Sequence, residues 1–258
     1  MVSEPTGSIA VDFPRKEEAR QNEFSGIWKS QLDAVFSDVA KNYDFASNLA
    51  SLGMCDKWRD RFISSIDLKA GDKILDVCAG TNAVGIRLLR RQPDAQVFAI
   101  DQSQAMQDVG AERARRLGMQ IDSTIGDVHH LPYPDEFFDV ITLQWASRHL
   151  RIVDVLSEVR RVLKPGGCFY HCDMLRPESQ IVGALYSAYL KACVSTTARL
   201  FGCGPEARSC QDYFVRAVEM FYSSKEFTQL LLHLGFRDVS CQAAIGGTMA
   251  CHKAVKPD

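Results

Sequence analysis

The chain has 258 residues, of which 46% are apolar and 24% charged, and carries a formal net charge of −2. Such a composition is that of an ordinary globular protein with ample core material, and its near-neutral charge gives no nucleic-acid partner. No apolar run reaches the ~18 residues a membrane span needs, and nine scattered cysteines without a C-x-x-C pair read as reduced thiols in a cytoplasm, supporting neither a disulfide framework nor a metal site.

Residues 1–23 carry Pro5, Gly7 and Pro14 with little periodicity and read as a mobile leader, too polar for a signal peptide. From Phe24 to about Ile66 the spacing of Leu32, Val35, Phe36, Val39, Leu49, Leu52, Trp58, Phe62 and Ile63 predicts amphipathic helices. Tyr43 lies at their junction. Two readings are equally open: a lid over a ligand cleft, or a helix pair packed on a sheet with Tyr43 as a half-buried core aromatic.

The stretch from Lys73 to Asp101 reads as strand, tight turn, helix and strand. Ile74, Leu75 and Val77 form the first apolar run, Val84, Ile86, Leu88 and Leu89 recur at helical spacing, and Val97 to Ile100 is the second strand. Such a unit crosses over right-handed into a parallel sheet. Ligands of these sheets sit beyond the carboxyl ends of the strands, where Gly80 and Asp101 fall, and Asp101 is placed to bind ribose hydroxyls. The dinucleotide pattern G-x-G-x-x-G is absent. Asp76, just before the turn, would repel a phosphate and suits a cation, which favours S-adenosylmethionine over NAD. The alternative, that Asp76 is only a strand-end carboxylate, is less favoured because Asp76, Gly80 and Asp101 occur together.

Further on, Met106 to Leu117 is a second crossover helix and Ile121 to Ile125 a third strand. Asp127 is placed to accept from an adenine amino group, or is a simple turn residue. Phe137 to Leu143 is a fourth, fully buried strand. It leads into the polar cluster Gln144 to His149, where His149 is a candidate general base and Arg148 a candidate for stabilising an oxyanion. The competing reading, a surface histidine beside a salt-bridged arginine, is favoured for His149 on the residues alone. Val153 to Leu163 is a helix stopped by Lys164-Pro165-Gly166-Gly167. Cys168 to Cys172 is a fifth strand, with His171 a satisfied core or edge histidine. Ile181 to Phe201 is a long apolar helix that suits a substrate-tunnel wall, a membrane-surface contact or a buried position. A helix at Phe227 to Leu234 precedes Val239 to Ala244 and Thr248 to Lys253, which are expected to pair as a hairpin around Gly246-Gly247.

Taken together, DVCAGTNAVG, FAIDQSQAM, GDVHHLPYPDEFFDVI and RRVLKPGG resemble the successive motifs of class I S-adenosylmethionine-dependent methyltransferases. The flanks NYDFASNLASLGMCDKWRDRFI and RAVEMFYSSKEFTQLLLHLGFRDVS with GGTMACHKAVK are similar to the opening and closing segments of the UbiE/Coq5/MenG quinone C-methyltransferases. The likeness runs from about Phe36 to Lys256. It implies a Rossmann-like α/β fold with a mostly parallel sheet and a C-terminal antiparallel hairpin, as one domain from residue 24. Within it, 24–70 would be a helical lid, 71–176 the cofactor-binding core, and 177–258 the substrate-tunnel helices and hairpin.

The resemblance also implies roles. Asp76, Gly80 and Thr81, with Asn82, would surround the methionine part of S-adenosylmethionine, Asp101 and Gln102 the ribose, and Asp127 and Val128 the adenine. Tyr43 and Asp44 match the lid, and Arg148 matches the arginine of the family's active-site R-N pair. His149 stands where that pair has asparagine, and Asn82 where the motif has glycine. The implied reaction is metal-free C-methylation of a prenylated quinol in menaquinone or ubiquinone biosynthesis. It would be carried out by a cytoplasmic protein with peripheral contact at the inner membrane face, with a homo-oligomer left open. His149 and Asn82 point to an alternative, a related methyltransferase of another hydrophobic phenol, polyketide or lipid. A non-catalytic subunit that presents a lipid quinone is a third reading, against which Asp76, Gly80, Asp101 and Asp127 speak.

Overall fold

In the computed structural model, residues 11–30, 32–51, 53–200 and 211–258 are described. The first element is helix α1 (Phe13–Ser30), so residues 13–23 are not the mobile leader expected of them. The reason is a helical stripe with charges inside it: Phe13, Glu17, Arg20 and Phe24 are all buried. Arg20 donates to the Glu17 carboxylate, and also to the carbonyls of Arg148 at 3.0 Å and Leu150 at 3.1 Å. A buried ion pair in the middle of the stripe hides its amphipathicity from a reading based on apolar spacing. Residues 1–10 lie outside the described residues.

Helices α2 (Leu32–Val39), α3 (Tyr43–Ala50) and α4 (Met54–Ser64) follow, as the apolar spacing predicts. They divide the two readings given to them. Phe62 and Ile63 of α4 pack with Ile74 and Leu88 in the core, whereas Leu32, Phe36, Tyr43 and Asp44 of α2 and α3 line the central cleft.

Strand β1 (Lys73–Val77), helix α5 (Ala83–Arg91), strand β2 (Gln96–Asp101), helix α6 (Gln104–Arg116), strands β3 (Asp122–Ile125) and β4 (Phe138–Gln144), helix α7 (Ile152–Val162) and strand β5 (Leu163–Met174) make the alternating unit. Helices α8 (Gln180–Leu200), α9 (Gln211–Glu219) and α10 (Ser224–His233) lead into strands β6 (Arg237–Ala244) and β7 (Met249–Val255). The seven strands form one sheet in the order β3-β2-β1-β4-β5-β7-β6. β1 to β5 pair in parallel, and β7 runs antiparallel to both β5 and β6. The expected Rossmann-like fold with a terminal hairpin is therefore present.

Side-chain alternation along β1 explains why the sheet is covered on both faces. Leu75 and Val77 join Ile141, Leu143, Val155 and Phe227 on one face; Ile74 joins Val140, Leu88 and Phe62 on the other. Each such fully buried aliphatic side chain stabilises the fold by about 1.5–3 kcal/mol. Strand order reverses between β1 and β4, which opens a crevice at the carboxyl ends of both. Helix α8 is not buried: Ile181, Leu185 and Tyr189 are exposed on it, and among the described residues no helix is long and apolar enough to cross a membrane.

Candidate active site

The turn after β1 is built from backbone that few side chains tolerate. Cys78, Gly80 and Asn82 have φ of +56°, +53° and +54°, a left-handed geometry natural for glycine and easiest otherwise for asparagine. Asn82 is fully buried yet does not line the cleft. Its Oδ1 accepts from Gln107 Nε2 at 3.2 Å, and the same amide donates to the Gly80 carbonyl at 2.9 Å. Of the residues assigned to the cofactor, Asn82 thus shapes the turn from behind. Helix α6 presses closely here: a Cβ on Gly110 would lie 2.8 Å from both Asn82 Nδ2 and the Thr81 carbonyl carbon.

The other assigned cofactor residues do converge. Asp76, Gly80, Thr81, Asp101, Gln102, Asp127 and Val128 all line one cleft of about 950 Å³ of non-atom space, counting its open mouth, ample for a nucleoside ligand. Asp101 Oδ2 accepts from Gly80 N at 2.8 Å and Oδ1 from Ser103 N at 2.9 Å, which fixes the carboxylate at the end of β2. Burial raises its pKa, against the pull of those two N–H groups. Asp127, half-exposed, accepts from His129 N at 2.9 Å.

Asp76 is the most informative group. It is buried, Oδ1 accepts from Thr142 Oγ1 at 2.7 Å, and Oδ2 has no partner. Burial, with the negative charge of Asp101 adding to it, pushes its pKa up to about 7. A buried carboxylate oxygen without a donor, on the wall of a cleft, suits an ammonium group. Together with the fixed Asp101 and the glycine turn, it fits S-adenosylmethionine.

The wall opposite the turn comes from α2, α3 and α4. Asp44 Oδ2 accepts from Thr81 Oγ1 at 2.7 Å and from Arg113 Nη1 at 2.8 Å, and its Oδ1 from Arg59 Nη2 at 3.3 Å. Burial would raise the Asp44 pKa, but the Thr81 hydrogen bond and the two guanidinium charges outweigh it and hold the carboxylate ionised. Arg59 is buried as well. It donates to Gln144 Oε1 at 3.3 Å and lies 4.9 Å over the Trp145 ring. Arg59, Gln144 and Trp145 all line the cleft. No functional role was read for these three from the sequence, although the run of charges in DKWRDR and the polar end of a buried strand were visible there. Trp145 has φ of +59°, a strained setting for a bulky residue that tends to mark functional sites.

The residues assigned to catalysis separate. Tyr43 and His149 line the cleft, whereas Arg148 does not. Tyr43 is held protonated, its pKa raised by burial against the opposing charges of Arg148 and Arg59. His149 Nδ1 lies 2.6 Å from the Tyr213 hydroxyl, which also accepts from Trp28 Nε1 at 3.0 Å. His149 Nε2 is buried without a partner. Burial, aided by Arg148 and Arg20, lowers the His149 pKa far below its ordinary value. The ring is therefore neutral and a weak base, neither a surface histidine nor an effective general base, and it serves better as a hydrogen-bonding group. Phe36 and Phe214 pack edge-on against it.

Arg148 sits behind this wall. Its Nη1 donates to the Asp173 carboxylate and, at 3.0 Å, to the Trp145 carbonyl. Asp173, fully buried, also accepts from the Ser147 backbone at 2.8 Å and from the Ser147 hydroxyl. His171 Nε2 lies 2.9 Å from the same hydroxyl, and His171 Nδ1 lies 3.4 Å from His252 Nδ1. Ser147 gives its one hydrogen to Asp173, so the neutral His171 ring donates from Nε2 to the Ser147 oxygen, and His252 donates from Nε2 to the Ser224 carbonyl at 3.1 Å. Burial keeps His171 far below its ordinary pKa and lowers His252 to about 4. His171 is thus the satisfied core histidine expected. Asp173 and Ser147 were missed; a carboxylate at the carboxyl end of β5 was the available signal.

Comparison with known proteins agrees with this geometry. The model of the ubiE/COQ5 methyltransferase family matches residues 25–256. A demethylmenaquinone methyltransferase of Corynebacterium glutamicum is 31% identical over 226 residues, covering 87% of this chain and 94% of that protein. The mitochondrial 2-methoxy-6-polyprenyl-1,4-benzoquinol methylase of Drosophila melanogaster is 30% identical over 275 residues, covering 98% and 90%. Among solved structures, a SAM-dependent methyltransferase of Aquifex aeolicus superposes with a TM-score of 0.55 at 21% identity, covering 76% of this chain and 88% of that one; at that identity the likeness concerns the fold. With a cleft whose carboxylates and glycine turn fit S-adenosylmethionine, the chain is a methyltransferase that belongs to the ubiE/COQ5 methyltransferase family.

Proposed function

We propose that the chain methylates a ring carbon of a prenylated quinol, of the demethylmenaquinol or ubiquinone-precursor kind. The observation that carries this reading is the make-up of the cleft. Asp76 and Asp101 line it together with Tyr43, Trp145 and His149, whose buried Nε2 has no partner. The relatives, a demethylmenaquinone methyltransferase and a polyprenyl-benzoquinol methylase, support the acceptor class.

S-adenosylmethionine supplies an electrophilic methyl group, so alignment with the acceptor carbon is the main demand on the protein. Asp76 holds the cofactor ammonium, Asp101 with Gln102 the ribose, and Asp127 with Val128 the adenine. Thr81 and Asp44 close α3 over the turn. His149 Nε2 and the Tyr43 hydroxyl bind the ring oxygens of the acceptor. The positive charge of Arg148, behind His149, favours loss of the phenolic proton to water and stabilises the phenolate that makes the ring carbon nucleophilic. After methyl transfer the ring carbon loses its hydrogen as a proton and the phenol is restored.

A polyprenyl tail needs an apolar path out of the site. Phe45 and Leu49 on α3, and Ile181, Leu185 and Tyr189 on α8, are exposed apolar side chains. They support peripheral contact with the inner face of a membrane by a cytoplasmic protein. A second reading, methylation of another hydrophobic phenol, is favoured by one feature: the neutral, ring-packed His149 where the family's pair has asparagine. Incubation with methyl-labelled S-adenosylmethionine and reduced demethylmenaquinone or ubiquinone precursors tests the proposal. A labelled C-methyl product supports it. Transfer only to non-prenylated phenols selects the second reading, and absence of transfer with every quinol overturns the first.

A further inference from the structure

One pair of side chains outside the reaction carries its own chemistry. Cys172 of β5 and Cys251 of β7 are direct partners in the antiparallel ladder, and their sulfurs lie 2.7 Å apart. Directly opposed residues of an antiparallel pair have Cα atoms about 4.5–5.5 Å apart, within the span a disulfide bridges. Two-residue alternation puts both thiols on the same face, in the cluster with Tyr170, Met249 and Trp145. The backbone therefore already holds the two sulfurs where a bond can form with little movement.

The two thiols differ in a way that assigns them roles. Cys172 is fully buried, while Cys251 is half-buried. The Cys172 contact, with the nearby charge of Arg61, lowers the Cys251 pKa, whereas the same contact and burial raise that of Cys172. A half-buried cysteine biased toward thiolate beside a fully buried thiol is the arrangement of an attacking and a resolving cysteine. None of the other described cysteines is opposed to Cys251 in the ladder: its neighbour on β6 is Gln242, and Cys241 faces His252.

We propose that Cys172 and Cys251 are a thiol–disulfide site that a hydroperoxide oxidises reversibly. Cys251 thiolate attacks the peroxide oxygen, the O–O bond breaks, and water or an alcohol leaves with a sulfenic acid on Cys251. The Cys172 sulfur then attacks that sulfur, the S–S bond forms, the S–O bond breaks, and water leaves. The two thiols have lost two electrons and the peroxide has gained them. The site adjoins the cleft through Gln144, the register partner of Cys172 on β4, whose side chain lines the cleft and accepts from Arg59. Disulfide formation moves the Cys172 sulfur beside that cleft residue.

The test uses the full-length protein, reduced and then treated with hydrogen peroxide. Remaining thiols are alkylated after unfolding, and peptides are identified by mass. The expected product is a Cys172–Cys251 linked peptide pair, two hydrogens lighter than the sum of its parts and returned to thiols by dithiothreitol. It should be absent in Cys251→Ser and in Cys172→Ser. Calorimetry with S-adenosylhomocysteine should show weaker binding to the oxidised protein, because the sulfur that moves lies next to Gln144 on the cleft wall, an effect reversed by dithiothreitol and absent in Cys251→Ser. Alkylation of both cysteines after treatment, or linkage of Cys251 to a different cysteine, overturns the site. A linked pair with unchanged binding overturns its coupling to the cleft. The mass readout is independent of methyl transfer, so a wrong acceptor assignment leaves it intact.

Discussion

Asp44 accepts a hydrogen bond from Thr81 at 2.7 Å across 37 residues of sequence, joining helix α3 to the turn proposed to hold the cofactor. Because the same carboxylate also pairs with Arg113 and Arg59, its loss leaves two cations and a hydroxyl without their shared acceptor. Asp44→Ala is expected to weaken S-adenosylhomocysteine binding about tenfold, or ~1.4 kcal/mol, in a protein whose circular dichroism is unchanged. Calorimetry decides: unaltered affinity would mean that α3 does not act on the turn.

Asp76 gives the pH dependence. Its folded-state pKa of about 7 lies above the ordinary carboxyl value, so the folded chain binds a proton that the unfolded chain has released. Stability of the free protein therefore falls as pH rises from about 4 to 7. Cofactor binding needs the opposite state, the carboxylate. Affinity should be level above pH 7 and drop about tenfold per unit below it, with a proton released on binding. Asp76→Asn should flatten that profile and weaken binding at pH 8; a profile with the wild-type slope in that variant would remove Asp76 as the ammonium partner.

Arg148 and Asp173 form a pair with 7% and 0% side-chain exposure. Removing one partner strands the other charge in the interior. Asp173→Asn should cost about 3–5 kcal/mol of unfolding free energy, read from the denaturant midpoint. Arg148→Ala should reduce turnover far more than cofactor affinity; equal losses in both would refute a role for its charge in the reaction.

His149 offers a cleaner separation of binding from turnover, since it lines the cleft and touches none of the carboxylates assigned to the cofactor. His149→Phe is expected to lower methyl transfer about tenfold to a hundredfold with cofactor affinity within about twofold. His149→Asn, which can still donate a hydrogen bond, should recover part of the loss. If phenylalanine transfers methyl groups as well as histidine, Nε2 makes no contact with the acceptor.

Gly110 is a test of the turn itself. A methyl group there meets Thr81 backbone and the Asn82 side chain at 2.8 Å, and backbone cannot step aside cheaply. Gly110→Ala should destabilise the fold by about 1–3 kcal/mol and weaken cofactor binding. A neutral effect on both would show that α6 can withdraw from the turn.

What the sequence by itself determined is the part of the molecule governed by local pattern. Period-two and period-3.6 apolar runs defined β1 to β4, the crossover helices and the terminal hairpin, because burying a face requires that spacing whatever lies on the other side. The same order placed Asp76, Gly80, Asp101 and Asp127 at strand ends, hence on one cleft. Tertiary structure decided the rest, wherever a polar group's meaning depends on a distant partner. Glu17 and Arg20 break the stripe of α1 in the sequence and complete it in the fold, because a buried ion pair that also satisfies carbonyls replaces apolar contact. Arg148 and His149, adjacent in the chain, part company: one turns to Asp173, a residue of another strand, and the other faces the cleft. His149 loses its basicity to burial beside Arg148 and Arg20, and the facing of Cys172 with Cys251 is set by the register of β5 on β7. Desolvation and cross-strand register are properties of a packed interior, and a one-dimensional pattern does not contain them.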